Sequence, residues 1–205
     1  MRILQVILAP RLSGADVLAK GVAIGHQRGG HSLCIASLMS EHDDFAHISA
    51  ELRAHDVTCL FPTKAPGKLG RLLFLHRAIR TFKPDIIFAH ATIPALYVRA
   101  LPTRVPIVWV MHSGANDFAN GALLRAERIF SGRAKAVISV SQKNIDDYVK
   151  EVDSHPSMIA VPNGVDVSRF TDDALPAVPV AHKQIVQVGR GLAPAKAGHA
   201  VTLKF

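Results

Sequence analysis

Short apolar runs alternate along the chain with longer segments in which apolar positions recur every three or four residues. The first run, Ile3 to Leu8, is of strand length and is closed by Pro10 and the turn residues Ser13-Gly14. From Asp16 the period lengthens. Val17, Leu18, Gly21, Val22 and Gly25 share one helical face, and Gly29-Gly30 ends the helix. The small Gly21 and Gly25 would let this helix lie close on a sheet. Ser32 to Leu38 predicts a second strand, Phe45, Ile48 and Leu52 a second helix, and Val57 to Phe61 a third strand. Leu69, Leu72, Leu73, His76 and Ile79 predict a helix that ends before Pro84. Strands over 85–89 and 106–110 follow, with a short helix over 95–100 between them. A helix over 122–130, a strand over 136–140, a helix capped by Ser141 that runs through Val152, and a strand over 157–161 complete the series. Fully apolar strands separated by helices imply a parallel sheet covered on both faces. The predicted fold class is therefore α/β, a doubly wound parallel sheet.

The pattern changes after Phe170. Residues 171–182 carry Pro176, Pro179 and several small residues, and read as a linker between a domain over 1–170 and a further segment over 183–205. That segment opens with a strand over 183–189 and ends in the beginning of a helix over 198–205. One strand and part of a helix cannot close a core, so it reads as the truncated start of a second domain.

Composition narrows the class. Of 205 residues, 49% are hydrophobic and 20% charged, which excludes a disordered chain. The uncharged stretch Ile86 to Val98 is interrupted by His90 and Pro94 and is well short of the roughly 18 residues of a membrane span. Ile3 to Ala9 is too short for a signal peptide and has no small-residue cleavage site. Cys34 and Cys59 each lie in an apolar run, as packed thiols of a reduced, cytoplasmic chain. Neither has a second Cys at ligand spacing, which argues against a disulfide scaffold or a Cys-based zinc site. His26, His31, His42, His47, His55, His76 and His90 are scattered, without the paired spacing of a metal site, and read as surface or strand-end residues. Asp43-Asp44, Asp146-Asp147 and Asp172-Asp173 suit helix starts or linkers better than metal ligation. No metal is expected. There is no Gly-x-Gly-x-x-Gly after the first strand, no phosphate loop ending Gly-Lys-Ser/Thr and no Gly-x-Ser-x-Gly elbow.

The net charge of +8 is unevenly distributed. From Val57 to Asn116, eight Lys and Arg face a single acid, Asp85. Such a zone suggests an anionic partner. Lys68, Arg71, Arg77 and Arg80 fall on one helix with a Leu-rich opposite face, suited either to an anionic membrane surface or phosphorylated acceptor, or simply to solvent. Nucleic acid is disfavoured, because aromatic residues are only 6% and no stacking platform is evident.

One local signal is more specific. Val161-Pro162-Asn163-Gly164-Val165-Asp166, with Phe170 four further on, places a tight Asn-Gly turn between a strand and a linker. The next strand ends Val188-Gly189-Arg190, with Lys196 six residues later. This order resembles the domain junction of GT-B glycosyltransferases, specifically glycosyltransferase family 4. Ser13-Gly14-Ala15-Asp16 matches the family's first glycine loop, with Ser13 where a second glycine is more usual. Val108-Trp109-Val110-Met111-His112 matches its strand ending in histidine, and Val137-Ile138-Ser139-Val140-Ser141 its strand ending in serine.

The resemblance implies a retaining transferase of hexosyl type that uses a nucleotide-diphosphate sugar as co-substrate, needs no metal or other cofactor, and acts on a glycolipid or cell-envelope polysaccharide acceptor. Arg190 and Lys196 would neutralise the leaving diphosphate. The amides around Gly14 and Ala15 would face the same phosphates across an interdomain cleft. His112 would be the catalytic-site residue near the reacting carbon, and Asn163, Gly164 and Asp166 the hinge. Family members carry a glutamate pair in the second domain, whereas no Asp or Glu follows Asp173 here. The chain alone is therefore expected to be catalytically weak or dead. The alternative is a non-catalytic, acceptor- or partner-binding α/β module. The expected location is cytoplasmic, peripheral at the inner membrane face.

Overall fold

The structure is a computed structural model that describes residues 1–113, 115–164, 186–187 and 201–202. The chain divides into two compact units, Met1–Asn163 and Gly164–Phe205. In the first, strands β1 (Arg2–Ile7), β2 (Ser32–Ser37), β3 (Thr58–Leu60), β4 (Ile86–His90), β5 (Ile107–Met111), β6 (Ala136–Ser139) and β7 (Met158–Ala160) form one sheet. All neighbours are parallel, in the order β3-β2-β1-β4-β5-β6-β7. The helices between them are α1 (Gly14–Arg28), α2 (Ala46–Ala54), α3 (Lys68–Phe82), α4 (Thr92–Ala100), α5 (Gly121–Phe130) and α6 (Gln142–Glu151). Every strand and helix expected before residue 162 is present, with ends shifted by a few residues.

Strand alternation sorts the sheet into two cores. Leu4, Val6, Ile87, Ala89, Trp109 and Met111 point to one face, against Leu75, Ile79 and Phe82 of α3, Ala95 and Val98 of α4, and Tyr148 of α6. Ile3, Ile7, Leu33 and Ile35 point to the other, against Ala19, Ala23 and Ile24 of α1 and Ile48 and Leu52 of α2. Cys34 and Cys59 fall in opposite cores and both are free thiols. Burial pushes the Cys34 thiol up to about 12, so it behaves as an inert apolar side chain.

Two expected helix faces are corrected. In α1 the inward face is Asp16, Ala19, Ala23 and Ile24, whereas Gly21 and Gly25 are exposed with open space where a Cβ would stand. The close approach to the sheet is made at Ala19 and Ala23, where Gln5 of β1 bonds the helix backbone directly. In α3, Leu69 and Leu73 are 68% and 52% exposed. The stripe Leu75, Ala78, Ile79 and Phe82 faces the core instead, and positions 69, 73 and 77 lie opposite it around the helix.

The most heavily buried polar cluster joins α4, α5 and α6. Arg99 and Glu127 are both fully buried and paired through Nη2 and Oε2 at 2.5 Å, with a second bond from Nη1 to Oε1 at 2.7 Å. Arg99 Nε donates to Ala95 O, and Tyr148 Oη donates to Glu127 Oε1 at 3.0 Å. Burial, then the Glu127 charge, pushes the Tyr148 hydroxyl up, so it remains a donor. Arg99 thus leaves the basic zone as a neutralised core residue.

In the second unit the described residues are two short strands, β8 (Val186–Gln187) and β9 (Val201–Thr202), paired antiparallel. The helix expected over 198–205 is not what Val201 and Thr202 form. Both are β-branched, and an extended pairing suits them better.

Candidate functional site at the carboxyl edge of the sheet

The strand order reverses between β1 and β4, whose following helices α1 and α4 pack on opposite faces, and the carboxyl edge at such a point is where open sheets of this kind take ligands. Three site elements meet that edge: the start of α1 after β1, the end of β4, and the end of β5.

At α1, Ser13 is the N-cap. Its Oγ accepts from Asp16 N–H at 3.3 Å and donates to the Asp16 carboxylate at 2.5 Å, so the cap and the third helical residue hold one another through the hydroxyl. Val17 N–H donates to Ser13 O at 3.0 Å. Of the helix's first amides, those of Gly14 and Ala15 have no acceptor among the described residues. These are the two amides expected to meet a diphosphate, at the positive end of the helix dipole. Desolvation pushes the Asp16 carboxyl above the usual carboxylate range.

At β4 and β5, alternation carries side chains on the α1 face in steps of two. Gln5 stands opposite Phe88, two residues before His90, and His90 stands opposite Val110, two residues before His112. The steps bring the three polar groups together. His90 Nδ1 lies 3.1 Å from His112 Nε2, and the rings meet edge to edge, with centroids 5.4 Å apart and planes within 20° of each other. Gln5 reaches His90 Nε2 at 3.3 Å. Ala91, immediately after His90, has φ 69° and ψ 169°, a conformation for which glycine is the ordinary residue. It is held there by Ala91 N–H to Val110 O at 2.9 Å. In the loop after His112, Asp117 accepts from Thr92 Oγ1 at 2.6 Å and from Ser113 Oγ at 2.7 Å, tying that loop to the start of α4.

His90 was read from the sequence as one of the scattered histidines. The structure places it at a strand end, closing β4, and adds that the ring is buried with both nitrogens engaged. Its signal was its distance from His112, which is read only once β4 and β5 are placed side by side.

Burial first, and the neighbouring His112 second, pushes the His90 imidazole down to about 3; burial also lowers His112. An imidazole whose folded pKa lies below its unfolded value of about 6.5 takes up protons more readily in the unfolded chain. Stability is then full above about pH 6.5 and is lost as pH falls toward 3, by up to about 1.4 kcal/mol per unit. Asp16, whose carboxyl is raised, acts in the opposite sense at the acid end. Urea midpoints followed from about pH 7 to about pH 4 should fall steeply in the wild type and less steeply in His90→Phe. Equal slopes would contradict the buried pair.

The other sequence-derived residues are more dispersed. Lys68, Arg77 and Arg80 are exposed along α3, beside Leu69 and Leu73. Arg71 is half-buried: its Nε donates to Pro66 O at 3.1 Å and its guanidinium lies 6.0 Å from the Tyr97 ring centre. Asn163 and Gly164 follow β7 and are exposed. Asp166, Arg190 and Lys196 lie outside the described residues. Among the described residues, no three His, Cys, Asp or Glu side chains gather as a metal-ligand set, and no helix is long and apolar enough to cross a membrane.

The sheet order and its edge define a class, the doubly wound Rossmann-like α/β fold that also builds the halves of GT-B proteins. Residues 12–169 match Glycosyltransferase Family 4, and the chain belongs to that family. Among solved structures it is similar in fold to HepE of Anabaena, solved in complex with UDP-glucose, at 18% identity and TM-score 0.66 over 82% of this chain and 45% of that one. A glycosyltransferase of Rickettsia africae gives 17% identity and TM-score 0.61, over 86% of this chain and 46% of that one. Sucrose-phosphate synthase of Thermosynechococcus elongatus gives 11% and 0.61, over 82% and 49%. The chain thus spans just under half the length of these structures. No curated protein sequence matches it significantly.

Proposed function

We propose that this chain is the acceptor-side domain of a glycosyltransferase that moves a sugar from a nucleotide-diphosphate donor to a glycolipid or polysaccharide acceptor with retained anomeric configuration. What supports the reading is that a family 4 chain carries, on the carboxyl side of its sheet, the Gly14 and Ala15 amides at the start of α1, without an acceptor among the described residues, and His112 just after β5. Amides at a helix start suit the diphosphate, and a half-buried imidazole suits a sugar oxygen beside it.

In this reading the chemistry is charge management. As the glycosidic bond breaks, negative charge moves onto the diphosphate. Donors already oriented toward it stabilise that state without reorganising. Gly14 and Ala15 supply fixed dipoles, and by family resemblance Arg190 and Lys196 supply full charges. No metal or other cofactor is assigned a part. Asn163, Gly164 and Asp166 serve as the hinge. The exposed combination of Leu69 and Leu73 with Lys68, Arg77 and Arg80 supports a further part of the proposal, in which α3 meets an anionic, cytoplasm-facing membrane surface that presents the lipid acceptor.

Calorimetric titration of the chain with nucleoside diphosphates tests the reading. Binding with Kd on the order of 1 mM or tighter is expected, equivalent to about 4 kcal/mol or more. Acceptor binding with no response to any nucleoside diphosphate would favour a non-catalytic module instead.

A further inference from the structure

We propose that Gln5 and His90 are positioning residues that fix the proton on His112, holding the ring neutral with its hydrogen on Nδ1. The direction of the relay is set by the backbone of α1. Ala19 O can only accept and Ala23 N–H can only donate. The Gln5 amide meets both in one orientation, its nitrogen donating to Ala19 O at 2.9 Å and its oxygen accepting from Ala23 N at 3.2 Å. Reversed, the oxygen would face Ala19 O and the nitrogen would face Ala23 N–H. Gln5 is fully buried, so water cannot relieve that conflict.

The rest follows by counting hydrogens. The second N–H of the Gln5 amide points to His90 Nε2 at 3.3 Å, so Nε2 accepts and the His90 hydrogen is on Nδ1. That Nδ1–H meets His112 Nε2 at 3.1 Å, so this nitrogen also accepts and the His112 hydrogen is on its own Nδ1. A proton added at His112 Nε2 would point at the His90 Nδ1–H. Moving the His90 hydrogen out of the way would aim it at the Gln5 amide hydrogens. The relay therefore opposes both the other tautomer and the cation. The carboxylates of the neighbouring elements are engaged elsewhere: Asp16 with Ser13, and Asp117 with Thr92 and Ser113.

The consequence rests on the donor-site reading above. His112 would offer a ligand one neutral N–H, on Nδ1, suited to a hydroxyl or other oxygen of the donor. It would not serve as a cation for the diphosphate or as an acid. Three side chains and one helix backbone thus define what the site can donate.

Long-range proton–nitrogen correlation spectra of the 15N-labelled full chain read the tautomer directly, with His112 assigned by loss of its signals in His112→Gln. At neutral pH the wild type should show His112 protonated on Nδ1 and unprotonated on Nε2. His90→Asn, which keeps a donor nitrogen near the Nδ1 position, should preserve that pattern. His90→Phe and Gln5→Leu should release it, with the hydrogen appearing on Nε2 and the ring titrating nearer its ordinary pH. A wild-type His112 that is cationic at pH 7 or protonated on Nε2 overturns the proposal, and so does a tautomer unchanged in both His90→Phe and Gln5→Leu. Should either variant fail to fold, the wild-type spectrum alone decides. Nucleoside diphosphate binding is scored separately: an Nδ1–H His112 in a chain that binds none would uphold the relay and defeat the donor-site reading.

Discussion

Arg99→Met should destabilise the first unit by about 3–5 kcal/mol, as should Glu127→Met, because each leaves a charge with no water and no counter-charge. Arg99 and Glu127 are fully buried and doubly bonded to one another. Removing Arg99 leaves the carboxylate with only the Tyr148 hydroxyl. Removing Glu127 leaves the guanidinium with the Ala95 carbonyl, a longer bond to Phe130 O and the Trp109 ring 5.1 Å away. For a domain of this size the loss corresponds to a fall in Tm of roughly 10 °C. The double variant should cost much less than the sum, because apolar side chains of similar volume tolerate the site without desolvated charge. Thermal and urea unfolding of the two single variants and the double variant measure this. A single variant within about 1 kcal/mol of wild type would mean the pair is not sealed from water.

The second large effect concerns the residues proposed to meet the leaving group. Arg190→Ala and Lys196→Ala should each weaken nucleoside diphosphate binding about tenfold or more, since a charge-assisted hydrogen bond is worth about 1.5–3 kcal/mol. Fluorescence or calorimetric titration against the wild type, repeated at raised ionic strength, gives the comparison. Unchanged affinity in both variants would remove these residues from the proposed function.

The alternation of apolar runs and amphipathic segments was sufficient to place all seven strands of the main sheet and the helices between them. Strands buried on both faces, such as Ile107–Met111, carry that signal with little ambiguity. Which face of a helix turns inward was less legible. The α1 register was misread because Gly21 and Gly25 suggested close packing, whereas Ala19 and Ala23 are the residues against which Gln5 bonds the helix. Leu69 and Leu73 keep a helical period of their own, but on the face opposite the Leu75, Ala78, Ile79 and Phe82 stripe.

The site was legible where chemistry follows from chain order and illegible where it follows from neighbours in space. Gly14 and Ala15 open the helix after β1 and His112 follows β5, positions that the sequence itself marks. Gln5 in an apolar strand and His90 at the end of another have no local feature that separates them from core or surface residues. Only the parallel register of β1, β4 and β5 sets them in line. Arg99 shows the same limit in reverse: counted along the chain it belonged to the basic zone, yet Glu127, 28 residues on, cancels it.

Amide-resolved titration of the 15N-labelled chain with UDP probes the proposed site most directly. Saturable shifts should concentrate at the Gly14 and Ala15 N–H groups and at the His112 ring, with the remote face of α6 undisturbed. A saturable response that bypasses the β1, β4 and β5 carboxyl edge, or none at millimolar nucleotide, would contradict the account.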